Sequence, residues 1–120
     1  MGTEPATDFA LGNDLGLLLS RIGTVSRLRI AEALAPLGLT MRQFAVLRTL
    51  SSNEGLSQAA VSERLRIDAS SLVQVLDDCQ KKQWVERRPS PSDRRRYAVH
   101  LTAGGRRMLV RAQEAASKAS

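Results

Sequence analysis

A chain of 120 residues accommodates one domain, or one domain plus an extension, and not two independent cores. Eighteen Lys and Arg against 12 Asp and Glu give a formal charge of +6, while hydrophobic side chains make up 42% of the sequence. That balance excludes an acidic solvating chain and a disordered polycation, and it puts phosphate-bearing partners first. One cysteine, one histidine and four aromatic side chains leave no disulfide framework, no multi-cysteine zinc site and no base-stacking platform, and no metal or cofactor is expected.

Residues 1–12 carry Gly2, Pro5, Thr7 and Gly12 with no sustained period and read as a disordered lead-in. The apolar run Leu15–Leu19 is too short to span a bilayer, and its N-terminal flank is acidic, unlike a signal peptide. A soluble, cytoplasmic chain with no membrane partner is the expectation. From residue 13 to 35, Leu15, Leu18, Leu19, Ile22, Val25, Leu28 and Ala31 step by three and four along a long amphipathic helix. Asn13 or Asp14 caps its start and Pro36 is expected to end it. About 22 residues make roughly 33 Å of helix, more than a small core needs. The surplus stripe Leu15, Leu18, Leu19, Ile22 and Val25 therefore predicts a dimerisation face.

Gly38-Leu39-Thr40 is a stop followed by a new N-cap, with Phe44, Leu47 and Leu50 at helical spacing behind it. Ser52–Gly55 is turn chemistry, and Ser57 caps a short helix with Ala60, Val61 and Leu65 apolar. Arg66-Ile67 is a tight connection. Asp68 caps the next helix, which runs to about Lys82 and buries Leu72, Val75 or Leu76, and Cys79. Two helices joined this closely form a helix-turn-helix. After Lys82 the period falls to two. Trp84–Arg88 and the alternating Tyr97, Val99 and Leu101 predict a β-hairpin across a proline- and serine-rich turn, with His100 exposed. Thr102 caps a last helix over 103–120, whose apolar face holds Met108 and Leu109. The predicted fold is mainly α with a small β-hairpin, a winged helix-turn-helix over residues 36–102 between flanking dimerisation helices.

Charge concentrates in the hairpin region. Residues 81–111 hold ten basic side chains and two acids, +8, and the rest of the chain sums to −2. A solvated face would scatter these charges. Three consecutive arginines, Arg94, Arg95 and Arg96, behind a Pro-Ser-Pro-Ser-Asp turn read instead as an electrostatic footprint. Ser70, Ser71 and Gln74 near the start of the fourth helix are groups that hydrogen-bond base edges in a major groove. An arginine-tipped wing, with Arg88 on its first strand, reaches the adjacent minor groove. Asp93 is placed to hold the Arg95 guanidinium in a bidentate pair.

The chain resembles the MarR family of transcriptional regulators over about residues 13–118. Gly38-Leu39-Thr40 with Gln43, Leu47 and Leu50 is similar to the family's opening of its second helix. The stretch from Leu65-Arg66-Ile67-Asp68 to Trp84-Val85-Glu86-Arg87 is similar to its recognition helix and first wing strand. Asp93-Arg94-Arg95, then Leu101-Thr102 and Gly104-Gly105-Arg106, are similar to its wing tip, second strand and entry to the next helix. The resemblance implies a homodimeric repressor of pseudo-palindromic double-stranded DNA, with the first and last helices paired across the dimer axis. It also implies a small aromatic or phenolic effector, and no catalysis.

The sequence departs from the family pattern in two places. Between Asp68 and Gln80 stand three acids, Asp68, Asp77 and Asp78, and no base. Gln83 stands where relatives carry glycine, so it must accept a left-handed conformation or lengthen the turn. Cys79 on the buried stripe reads as core packing rather than an oxidation sensor, and Trp84 as a core plug beneath the wing. The acidic helix leaves a second reading open, a winged helix that binds protein and little or no specific DNA.

Overall fold

A computed structural model describes residues 26–93 and 95–119. The lead-in, the stripe Leu15, Leu18, Leu19, Ile22 and Val25, and Arg94 lie outside the described residues. Helix α1 covers residues 26–34 and tightens into a 3-10 turn, Ala35–Leu37. The α-helical run thus ends just before Ala35-Pro36, as expected, and Pro36 sits at the start of the 3-10 turn, where no donor is needed. The stop is Gly38, left-handed at φ 71°, whose N–H bonds Ala35 O at 2.9 Å.

Helix α2 (Met41–Ser52) starts with a complete capping box. The Gln43 N–H donates to Thr40 Oγ1 at 3.1 Å and the Thr40 N–H to Gln43 Oε1 at 2.9 Å. Strand β1 (Leu56–Ser57) follows, then α3 (Gln58–Leu65) and α4 (Ala69–Lys81). The α3–α4 turn passes through Arg66 in the left-handed region, φ 54°, and the Ile67 N–H bonds Ser62 O at 3.1 Å. Strands β2 (Val85–Pro89) and β3 (Tyr97–Leu101) form the wing, and α5 (Ala103–Ala119) ends the described chain.

The sheet has three antiparallel strands in the order β1-β3-β2, where the sequence predicts a hairpin of two. Leu56 pairs with Val99 and Ser57 with Ala98, while Val85 to Pro89 run against Leu101 to Tyr97. A two-residue strand carries no period, which is why β1 escapes a sequence reading. Ser57 serves both as its last residue and as the α3 cap, its Oγ accepting from the Ala60 N–H at 3.0 Å.

The core joins α1 and α2 to the helix-turn-helix and the sheet. Leu34, Leu47, Leu50, Val61, Leu72, Leu76 and Val99 are fully buried in it, with Leu109 and Ala112 of α5 against the same cluster. Cys79 belongs to this core, and burial pushes its thiol up to about 11, so it holds little thiolate at neutral pH. Trp84 is buried beneath the wing with the Lys82 ammonium 4.8 Å from its ring centroid. Two expectations change. His100 is half-buried, its ring lying against Gly55, instead of exposed. Tyr97 keeps the face of Val99 and Leu101 but is 49% exposed, because the wing extends past the edge of the core.

Helix α4, the wing and α5 meet at one joint. Gln83 takes the left-handed conformation, φ 62°, where glycine is usual, which costs about 1 kcal/mol. The Trp84 N–H then reaches back to Cys79 O at 2.9 Å and closes the helix end. The Thr102 hydroxyl donates to Gln83 O at 2.6 Å and accepts from the Gly105 N–H at 2.9 Å. A Cβ on Gly105 would stand 2.1 Å from Trp84 O and 2.7 Å from Leu101 Cδ1, so no larger residue fits. Gly105→Ala is expected to destabilise the fold by about 3 kcal/mol or more in urea unfolding, as severe overpacking does. Gly104→Ala, whose nearest new contact is 3.2 Å, should stay within about 1 kcal/mol of the parent. Equal losses would show that the approach to Trp84 O is not the constraint.

Candidate nucleic-acid interface

Helix α4 buries Leu72, Leu76 and Cys79 on one side and leaves Ser70, Val73 and Gln74 exposed on the other. Its N-terminus is organised by Asp68. The carboxylate accepts from the Ser71 N–H at 3.0 Å, and from the Ser70 and Ser71 hydroxyls at 2.7 Å each. These three donors hold the Asp68 carboxyl well below the usual carboxylate range, the Ser70 hydroxyl contributing most. Gln74 borders a shallow cleft between α4 and the start of α2, together with Arg42, Gln43 and Asp78.

The wing stands beside this helix and is tied to it. Arg87 on β2 donates to Asp77 Oδ1 at 2.5 Å and to Gln80 Oε1 at 2.8 Å, both on α4. Asp77 thereby has a structural partner, and its charge is offset within the protein. Between α4 and the wing runs an open trough of about 400 Å³ lined by Gln58, Val73, Gln80, Arg87 and Tyr97. None of these five residues is among the site residues that the sequence singles out. Exposure in a folded trough is a tertiary property, and only the wing's place in the basic cluster pointed here.

At the wing tip the loop closes through Ser90 N–H to Arg96 O, 2.7 Å, and Arg96 N–H to Asp93 O, 3.0 Å. Asp93 does not form the expected bidentate pair with Arg95. Its Oδ1 accepts from the Arg95 backbone N–H at 3.0 Å, with Arg95 Nε at 3.5 Å, and Oδ2 lies 3.7 Å from Arg96 Nε. The carboxylate is used as a turn former, since a side chain two residues upstream reaches the backbone more readily than both guanidinium nitrogens. The Arg95 side chain is left 93% exposed. Arg88 pairs with Glu86 at 2.9 Å on the outer face of β2, a contact that lowers the Glu86 pKa and raises that of Arg88. The structure thus brings Ser70, Ser71 and Gln74 together on α4 and Arg95 and Arg96 at the wing tip. Arg88 sits on the wing's outer face, apart from the trough.

A helix-turn-helix with an exposed second helix, buttressed by an arginine-tipped β-ribbon, defines a winged-helix protein. Residues 37–96 match the MarR family. An HTH-type transcriptional repressor of Mycobacterium tuberculosis is 38% identical over 99 residues, 82% of this chain and 71% of that protein. A Mycobacterium tuberculosis MarR family protein solved in complex with DNA has a TM-score of 0.77 at 35% identity, covering 88% of this chain and 78% of that one. CouR from Rhodococcus jostii, solved with p-coumaroyl-CoA, has a TM-score of 0.79 at 34% identity over 91% of this chain and 77% of its own. The chain belongs to the MarR family. It spans between 47% and 71% of the lengths of the curated relatives it matches.

The Asp68 cap has a pH signature. A carboxylate whose pKa is depressed in the folded state stabilises the fold fully above its unfolded value, near 3.9, and loses that contribution as pH falls towards the folded value. The melting-temperature gap between the parent and Asp68→Ala is therefore expected to be largest at neutral pH and to narrow steadily below pH 4. A gap independent of pH would contradict the cap.

Proposed function

We propose that this chain is a DNA-binding transcriptional regulator that places α4 in a major groove and the wing in the adjacent minor groove. The observation that carries the proposal is the tie between α4 and the arginine-tipped wing. Arg87 ties β2 to Asp77 and Gln80 of α4, so the helix that exposes Ser70 and Gln74 stands beside a wing whose tip presents two exposed arginines. Ser70, Ser71 and Gln74 face base edges, while Arg94, Arg95 and Arg96 supply the minor-groove charge, with Arg88 adding to the field. Repressors among the relatives, and CouR bound to a 23-mer DNA duplex, support the same direction.

The chain acts as a homodimer on a pseudo-palindrome in this proposal. Leu28 on α1 and Val110 on α5, both large, apolar and exposed, are the described residues that support a helical dimer face, continuous in sequence with Leu15, Leu18, Leu19, Ile22 and Val25. A small aromatic or phenolic effector is the proposed release signal, supported by the p-coumaroyl-CoA held by CouR. The rival reading, a protein-interaction module, drew on the acidic α4. Its weight falls because Asp68 is a cap and Asp77 is paired with Arg87.

Titration of random duplex DNA at two salt concentrations tests the proposal. Binding by phosphate neutralisation weakens steeply with salt. Arg95→Ala should weaken binding on every duplex and lower the salt slope by about one unit. Asp93→Asn keeps the acceptor of the turn while removing a negative charge, so it should bind at least as tightly as the parent. Asp93→Ala should bind more weakly because the turn is lost. Binding insensitive to salt would favour the interaction module, and tighter binding by Asp93→Ala would reduce the wing to a charged loop.

A further inference from the structure

The open face of α4 has a chemical composition that narrows what it can read. No lysine or arginine lies between Ala69 and Gln80, so the helix offers no bidentate cationic contact to guanine O6 and N7. The Ser70 and Ser71 hydroxyl protons are both committed to Asp68, at 2.7 Å each. A hydroxyl has one proton, so the groups left free are acceptor lone pairs, which suit the amino groups of adenine or cytosine and repel the acceptors of guanine. Beside them, three residues on from Ser70 and next to Gln74, Val73 is 36% exposed. It is the large aliphatic side chain of this face, and Tyr97 of the wing lines the same trough.

The exposed part of this isopropyl group is open to an apolar contact from outside the protein. The major groove contains one apolar substituent for it, the C5-methyl of thymine. Gln74, one residue further along, matches the adenine pattern of an N7 acceptor and an N6 donor. We infer that Val73 reads a thymine methyl, so that α4 selects A·T pairs through apolar contact and amide pairing rather than through cationic guanine contacts. This specificity rests on the proposed DNA-binding function and adds a residue that sequence reasoning leaves out.

Deoxyuridine differs from thymidine only in lacking that methyl. A duplex selected from a random pool by the whole chain is compared with versions carrying deoxyuridine at each thymine in turn, for the parent, Val73→Ala and Val73→Thr. At one thymine of each half-site the parent should lose about fourfold in Kd, which corresponds to ~0.8 kcal/mol for one buried carbon group. Val73→Ala should bind the two duplexes alike, and Val73→Thr, which keeps a methyl, should retain the discrimination. Val73 lies outside the buried core, and the parent comparison needs no variant at all. A parent that prefers the selected duplex over random DNA yet tolerates every deoxyuridine overturns the inference and leaves the DNA-binding function standing. Thymine discrimination that survives in Val73→Ala also overturns it. A parent that binds no duplex overturns both.

Discussion

The Thr102 hydroxyl bridges Gln83 O and the Gly105 N–H, and the Thr102 N–H reaches Trp84 O at 3.0 Å. Through these bonds the exit of α4, the end of β3 and the first turn of α5 become one joint. The joint requires a left-handed Gln83 and a side-chain-free Gly105. Trp84 fills the space beneath it, so a displacement of the wing would open the core. The angle between helix and wing is therefore set by contacts within the fold.

A second tie acts further out. Arg87 spans from β2 to Asp77 and Gln80 on α4, with its side chain mostly covered, and braces the wing across the trough. This gives Asp77 a structural use, as the cap does for Asp68. Exposed positive charge stands at the wing tip, where Asp93 shapes the backbone and leaves the arginine side chains largely in solvent. Exposed charge at the wing tip and exposed polar groups on α4 thus occupy different elements, tied together by Arg87.

The features legible in the sequence were those decided within a few residues. Thr40, Ser57, Asp68 and Thr102 each cap as their local spacing predicts, because capping involves only a side chain and a backbone group three positions on. The order of helices and wing followed from periodicity for the same reason. β1 was not legible, since two residues carry no alternation and the strand exists only through its pairing with β3. Alternation placed Tyr97 on the correct face but could not reveal where the core ends along the strand. The Asp93 side chain showed its spacing to Arg95, while the competition between guanidinium and backbone N–H was settled by loop geometry. Val73 offered no sequence signal at all, because an aliphatic residue in an amphipathic helix reads as core until the packing is known.

The central claim is that α4 and the wing form one rigid surface that engages two grooves of the same duplex. A hydroxyl-radical footprint on a selected duplex tests this most directly, since it reports protection of minor-groove sugars beside the major-groove segment. The parent should protect a flanking minor-groove patch at a fixed offset from the central segment, and Arg95→Ala should lose the flank while keeping the centre. A parent footprint confined to one groove, or a flank unchanged in Arg95→Ala, would contradict the claim.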